Sequence, residues 1–170
     1  DVLALVVDSK DVLYAGTAPD GKVYKIENGQ AKEFFDPQAK YIWSLVFDKQ
    51  GRLLVGTGDK GVIYRVTPDG KGTPFYDTDE THIISMAVDR DGNVIAGGDP
   101  KGYIYRISPD GKAFVLYDSG MREIHSVAVA PNGTIYAAAM SGESAITPAS
   151  TPVPISTSGN PPTISVTIKN

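Results

Sequence analysis

Residues 60–71 read KGVIYRVTPDGK, and residues 101–112 read KGYIYRISPDGK, 41 positions later. This self-similarity is the strongest constraint on the fold, because a chain that repeats itself must solve one packing problem several times. A step of 40 and then 41 residues links Tyr24, Tyr64 and Tyr105, and it links Gly16, Gly56 and Gly97 in YAGT, LVGT and IAGG. The 41-residue step links Ser44, Ser85 and Ser126, and Asp36, Asp77 and Asp118, each of these aspartates following an aromatic residue. Four landmarks in one register define units at 4–43, 44–84 and 85–125, with a fourth opening at Ser126.

Each unit reads as strands. The apolar runs are short and rich in Val, Ile, Tyr and Phe. Turn chemistry separates them: KQG at 49–51, PDG at 68–70, RDG at 90–92, with glycine supplying the positive φ. No window carries a helical apolar stripe of useful length. One unit therefore predicts four strands, SLVFD (44–48), RLLVGT (52–57), GVIYRV (61–66) and GTPFYDT (72–78). A four-stranded sheet apolar on both faces cannot bury itself alone, and twisted copies stacked around an axis can. The expected fold is all-β: a β-propeller, or a large part of one, built from four-stranded antiparallel blades.

The lines VDRDGNVIAGG (88–98) and FDKQGRLLVGTGDKGVIYRV (47–66) resemble propeller repeats of the NHL type and the two-component-regulator type. The resemblance spans about residues 3–142. It implies the fold and carries no catalytic motif onto these residues. The Gly-His and Trp-Asp dipeptides of tryptophan–aspartate repeats are missing, so the propeller is WD-like in architecture only.

The expected organisation is blades over 1–143 (three and a half), a Pro/Ser/Thr-rich linker or insertion over 144–163, and a strand-like tail over 164–170. Such a stretch is unsuited to a core strand. Three and a half blades leave apolar faces open, so the reading expects further blades from a longer chain, a second copy, or closure of a small four-bladed ring by ISVTI (164–168). In the hairpin around TPDG (67–70), uninterrupted counting sets Lys60 across from Asp77 and Lys101 across from Asp118, and leaves Asp20 beside Asp36. The three repeated tyrosines are expected to be buried.

Composition narrows the function. The net charge of −4 argues against a nucleic-acid partner, and no apolar run is long enough to cross a bilayer. No cysteine is present, which removes disulfides and thiolate metal sites. No charged-then-apolar leader opens the residues, so any signal peptide is expected to be already removed or to lie outside them. The setting expected is secreted or periplasmic, and bacterial.

Repeated residues read as scaffold. Asp8, Asp48 and Asp89 end the first strands. A ring of calcium ligands is conceivable, but aspartates there cap turns, and Ala130 interrupts the series. Lys25, Arg65 and Arg106 recur on the third strands as paired or solvated charges. Residues that differ between units at one equivalent spot are free to specialise. At one such spot Trp43 becomes Ile84 and then His125, and PQAKY (37–41), TDETH (78–82) and SGMRE (119–123) share almost nothing. These segments are expected to be loops joining one blade to the next on the ligand face. The candidate ligand contacts are Tyr41, Trp43, His82, Glu123 and His125. Two histidines on different blades with no third ligand do not make a zinc site, and no cofactor is expected. The function expected is a non-catalytic binding or sensing module for a protein, peptide or glycan. The alternatives are a propeller enzyme resembling lactonases, lyases or glycosidases, with its chemistry in the central funnel, and a purely structural propeller.

Overall fold

The structure is a computed structural model, and it describes residues 1–141 together with the backbone of 165–168. The proposed linker over 144–163 lies outside the described residues. Among those described, every regular element is a strand. The first sheet runs β1 (Val2–Val7), β2 (Leu13–Thr17), β3 (Val23–Glu27) and β4 (Gln30–Phe35) in consecutive antiparallel order. The second contains β5 (Tyr41–Phe47), β6 (Leu53–Gly58), β7 (Val62–Val66) and β8 (Gly72–Asp77). The third contains β9 (His82–Val88), β10 (Val94–Asp99), β11 (Tyr103–Ile107) and β12 (Ala113–Asp118), and a bridge from Gly58 of β6 to His82 of β9 joins it to the second as one eight-stranded sheet. The fourth holds β13 (Glu123–Val129), β14 (Ile135–Met140) and β15 (Ser165–Ile168). The tail strand β15 pairs with the otherwise bare edge of β14.

The first strand of each blade packs beside that of the next, β1 on β5, β5 on β9 and β9 on β13, so these strands line the inside of the stack. Between blades lie three apolar layers. Val12, Tyr14 and Val23 of the first blade meet Ile42, Leu53, Val55 and Val66 of the second. Leu54 and Ile63 then meet Ile83, Val94, Ala96, Tyr105 and Ile107, and Ile95 and Ile104 meet Ile124 and Val127. Alternation along each strand thus sends one set of side chains to the preceding blade and the other to the following blade.

Two expectations need correction. Asp77 pairs with Val62 rather than Lys60, and Asp118 with Tyr103 rather than Lys101. Each hairpin closes one residue wider than counting from the turn assumes, on Thr67–Lys71 and Ser108–Lys112, and a β-bulge in each outer strand, where Phe34, Phe75 and Leu116 interrupt the register, adds the second residue of shift. The unpaired residue adds to the apolar layer facing the next blade. In the first blade, Asp36 faces Lys22 at 3.5 Å instead of Asp20. The tyrosines differ as well. Tyr105 is buried, whereas Tyr24 and Tyr64 are half-buried. Tyr64 leans on Phe35 and Tyr105 on Tyr76, each from the preceding blade. No blade stands before Tyr24 among the described residues.

The repeated aspartates are turn caps. Asp48 accepts the backbone N–H groups of Gln50 and Arg52, and Asp89 accepts those of Asp91 and Asn93. Burial opposes the charge on Asp89. Hydrogen bonds from the Asn93 amide, the Arg106 guanidinium (2.7 Å) and the backbone outweigh it and hold the carboxyl down at about 2, against 3.8 ordinarily. A depressed carboxylate stabilises the fold above its unfolded value, and that contribution is lost as pH falls through the folded value. Asp89→Asn should therefore forfeit about 2 kcal/mol at neutral pH and flatten the loss of stability between about pH 4 and 2. Denaturation midpoints across that range check this, and an unchanged acid limb would contradict it.

Candidate functional site

The first strand of each blade starts three residues earlier than its apolar run suggests, at Tyr41, His82 and Glu123. The five candidate residues therefore sit at the openings of strands β5, β9 and β13, not in connecting loops. Tyr41, His82 and Glu123 are structurally equivalent, pairing with Gly58, Asp99 and Met140 on their neighbouring second strands.

Two residues further on, each inner strand bulges. The register slips between Val2 and Ala4, between Ile42 and Ser44, between Ile83 and Ser85, and between Ile124 and Ser126. The residues left unpaired are Leu3, Trp43, Ile84 and His125. A bulge frees a side chain from the alternation of its strand and re-aims it. Here the same device recurs in all four blades and presents two aliphatic side chains, an indole and an imidazole, while the flanking Ile42, Ile83 and Ile124 are fully buried.

Across the second and third blades, Tyr41, Trp43 and His82 form one aromatic corner. Tyr41 stacks on Trp43 with centroids 5.4 Å apart and planes 24° from parallel. His82 stands edge-on to both, at 5.9 and 5.8 Å. The Trp43 Nε1–H donates to His82 Nδ1 at 3.1 Å, and the Asp59 backbone N–H donates to the same atom at 3.3 Å. With two donors aimed at Nδ1, the neutral imidazole carries its proton on Nε2. Gly58 makes the corner possible, since a Cβ there would lie 2.4 Å from Trp43 Nε1 and 2.6 Å from His82 Nδ1.

One blade further round, Glu123 and His125 form an exposed pair, with Oε1 2.6 Å from Nδ1. Beside a carboxylate the proton belongs on His125 Nδ1, the opposite tautomer to His82. The rim thus offers an N–H from one histidine and a ring-nitrogen acceptor from the other. Near the pair, Arg122 donates to Asp99 at 2.9 Å. No hydrogen bond, ion pair or ring contact joins the aromatic corner to the Glu123–His125 pair among the described residues, and no group of three His, Asp or Glu suited to a metal ion occurs among them.

Gly58 and Asp59 belong to the corner and escaped sequence reasoning. Gly58 breaks the repeat, with Ala18 and Asp99 at the equivalent positions. That departure was the available signal.

Radially stacked antiparallel sheets on a common inner row of strands make this chain a β-propeller. Residues 37–59, which carry the Tyr41–Trp43 half of the corner, match the family model of the two-component regulator propeller. No curated protein sequence matches. Among solved structures, virginiamycin B lyase from Staphylococcus aureus superposes with a TM-score of 0.69 at 15% identity, covering 83% of this chain and 52% of the lyase. The WD40 propeller of Doa1 gives 0.71 at 18% identity, over 81% of this chain and 47% of that one. The extracellular domain of BT4673 from B. thetaiotaomicron gives 0.65 at 21% identity, over 81% of this chain and 19% of that one. The chain thus spans about half the length of the lyase.

Proposed function

We propose that this chain is a non-catalytic binding or sensing module that takes its ligand at the rim where the inner strands begin. The observation that carries the reading is the bulged row Leu3, Trp43, Ile84 and His125. A repeat protein keeps a position constant when every blade needs it for packing. It diversifies a position when each blade meets a different part of one asymmetric ligand. The stacked Tyr41–Trp43 pair suits a flat apolar face, and the two histidines suit polar groups at its edge, as a peptide or glycan would supply. The extracellular domain of the one component system BT4673 and an auxiliary nutrient binding protein from Bacteroides thetaiotaomicron share the fold. They support a sensing role in a secreted or periplasmic setting.

Trp43 is the sole tryptophan, so its emission reports directly on the rim. Titration with panels of soluble oligosaccharides and of short peptides should give a saturable change in that emission. Tyr41→Ala and His125→Ala should each weaken the same ligand at least about fivefold by calorimetry. Removing the His82 ring, in His82→Ala, should wet Trp43 and move its emission to longer wavelength without any ligand. Ligand affinity indifferent to all of these substitutions would sink the reading. The Glu123–His125 pair, together with the lyase among the similar structures, favours a second reading as an enzyme. That reading requires turnover abolished by Glu123→Gln and by His125→Ala.

A further inference from the structure

We propose that the cleft between the first and second blades, at the end of the stack opposite the aromatic corner, binds a guanidinium group presented by an arginine side chain of a partner protein. The cleft measures about 460 Å³, inside the range of about 300–1,000 Å³ for ligand pockets. It opens between two sheets that are each complete with four strands. Tyr14, Phe34, Phe47, Leu53 and Val66 make its apolar wall, and Asp8 and Pro68 stand in its polar lining.

The next junction shows what such a cleft takes. There the chain fills the equivalent place with its own Arg65, whose guanidinium lies over the Phe75 ring, 3.6 Å from the centroid. Its Nη2 donates to the Pro109 carbonyl of the third blade at 3.1 Å, and its Nε stands 3.7 Å from the Asp48 carboxylate. Lys49 then closes the mouth by donating across to the Arg90 carbonyl. The third blade repeats the pairing, with Arg106 donating to Asp89 at 2.7 Å.

The first junction keeps the receiving groups and loses the occupant. Phe34, Asp8 and Pro68 are in register with Phe75, Asp48 and Pro109, while Lys25 replaces Arg65, Ser9 replaces Lys49 and Val12 replaces Arg52. Lys25 pairs with Glu27 at 3.1 Å and lines no part of the cleft. Glu27 stands where the second and third blades have Thr67 and Ser108, so this diversion is particular to the first blade. Ser9 is too short to bridge to the second blade as Lys49 does to the third. Asp8 Oδ1 accepts the Lys10 and Val12 N–H groups. Val12 has no side-chain donor for Oδ2, whereas Arg52 serves that oxygen of Asp48. The wall therefore offers an aromatic face and a carboxylate oxygen without a partner among the described residues. A planar, weakly hydrated guanidinium satisfies both at once, by stacking on the ring and by donating to the carboxylate. Lys10 and Lys49 at the mouth oppose a bare cation, so the ring and the apolar wall must carry part of the selection. Phe47, Leu53 and Val66 continue that wall beyond the reach of one guanidinium, which suits the methylenes and flanking backbone of a peptide.

The test is a titration of the 170-residue chain with a capped glycine peptide holding one arginine, followed through backbone amide shifts by NMR. The shifts should saturate and centre on Asp8, Gly51 and Gly70, which border the cleft. The same peptide with lysine, or with uncharged citrulline, should bind at least about fivefold more weakly. Asp8→Asn keeps the Oδ1 acceptor of the turn and removes the charge, and Phe34→Leu installs the leucine that the third blade carries as Leu116. Each should weaken the arginine peptide at least about fivefold, and either suffices if the other misfolds. Lys25→Arg combined with Glu27→Thr rebuilds the filled junction of the second blade, and it should abolish binding while raising the urea midpoint. Tyr41→Ala should leave this affinity unchanged, which separates the cleft from the rim. Absence of saturating shifts, equal binding of the three peptides, or affinity untouched by both Asp8→Asn and Phe34→Leu would overturn the proposal. So would binding that survives the Lys25→Arg, Glu27→Thr double variant, or a stronger response to a glutamate peptide, which would give the cleft to an anion held by Lys10 and Lys49.

Discussion

Gly61→Val should cost more than about 4 kcal/mol and leave the chain largely unfolded at room temperature, the size of effect reserved for a clash with no escape. Gly61 has φ +61°, and a Cβ there would stand 2.0 Å from the Glu80 carbonyl oxygen, 2.8 Å from its carbon and 2.9 Å from Thr78 Oγ1. The positive φ alone costs a branched residue about 1–3 kcal/mol. The obstructing atoms are mostly backbone, so no rotamer change relieves them. They belong to the segment that carries the chain into β9, which the Thr78 hydroxyl ties to the Gly61 carbonyl at 2.8 Å. Gly21 and Gly102 meet the Ala39 and Met121 carbonyl oxygens in the same way, at 2.0 and 2.1 Å. Gly51, also at positive φ (+73°), has nothing within 4 Å of its would-be Cβ. Gly51→Ala should therefore cost only the conformational share, about 1 kcal/mol. Urea midpoints of the two variants against wild type decide the matter. A stably folded Gly61→Val would mean that the blade-to-blade crossing lies further out than described.

That crossing shows what a repeat discloses and what it conceals. The step of about 41 residues was legible because each blade packs on the next through the same atoms, so Tyr64 and Tyr105 or Gly56 and Gly97 had to recur. The same logic singled out Trp43, Ile84 and His125 as one variable row. What it could not show was the pair of bulges in each blade. The outer one, together with a turn one residue wider than counted, displaced Lys60 and Lys101 from the aspartates that counting had placed opposite them. The inner one re-aimed Trp43, and the missing Cβ of Gly58 let its indole reach the His82 ring of the next blade. A bulge is one residue of extra backbone with no compositional mark of its own. Contacts that depend on two of them, in different blades, lie beyond period arithmetic.

Glu80→Ala and Gly98→Thr should each destabilise the chain severely, and together they should nearly cancel. The first two blades share an internal latch. The Thr17 hydroxyl accepts from the Lys22 N–H and donates to its carbonyl, and Thr57 does the same for Val62. In the third blade the equivalent residue is Gly98, which breaks GT into GG and has no hydroxyl to offer. Glu80 reaches across from the preceding blade instead. Its carboxylate accepts the Tyr103 N–H at 3.1 Å and the Lys101 N–H at 2.8 Å, and its stem occupies the space where a side chain at Gly98 would stand. In the neighbouring blade the same two positions are Ala39 and Thr57. Glu80→Ala strands two backbone donors and opens a cavity, about 2–4 kcal/mol. Gly98→Thr drives a Cβ to 2.2 Å from Glu80 Cγ, a cost of about 3 kcal/mol or more. The double variant rebuilds the Ala39–Thr57 arrangement and should return to within about 1 kcal/mol of wild type, a coupling above about 3 kcal/mol. The pH dependence carries a second signature. Burial pushes the Glu80 carboxyl above its ordinary 4.5, against the pull of its backbone donors. The fold thus favours the protonated form, and this contribution is full at acid pH and fades as pH rises. The double variant lacks it and should gain on wild type as pH rises above the ordinary 4.5 of the carboxyl. Additive single losses, or a double variant that loses ground with rising pH, would show that Glu80 and Gly98 do not stand in for the threonine latch.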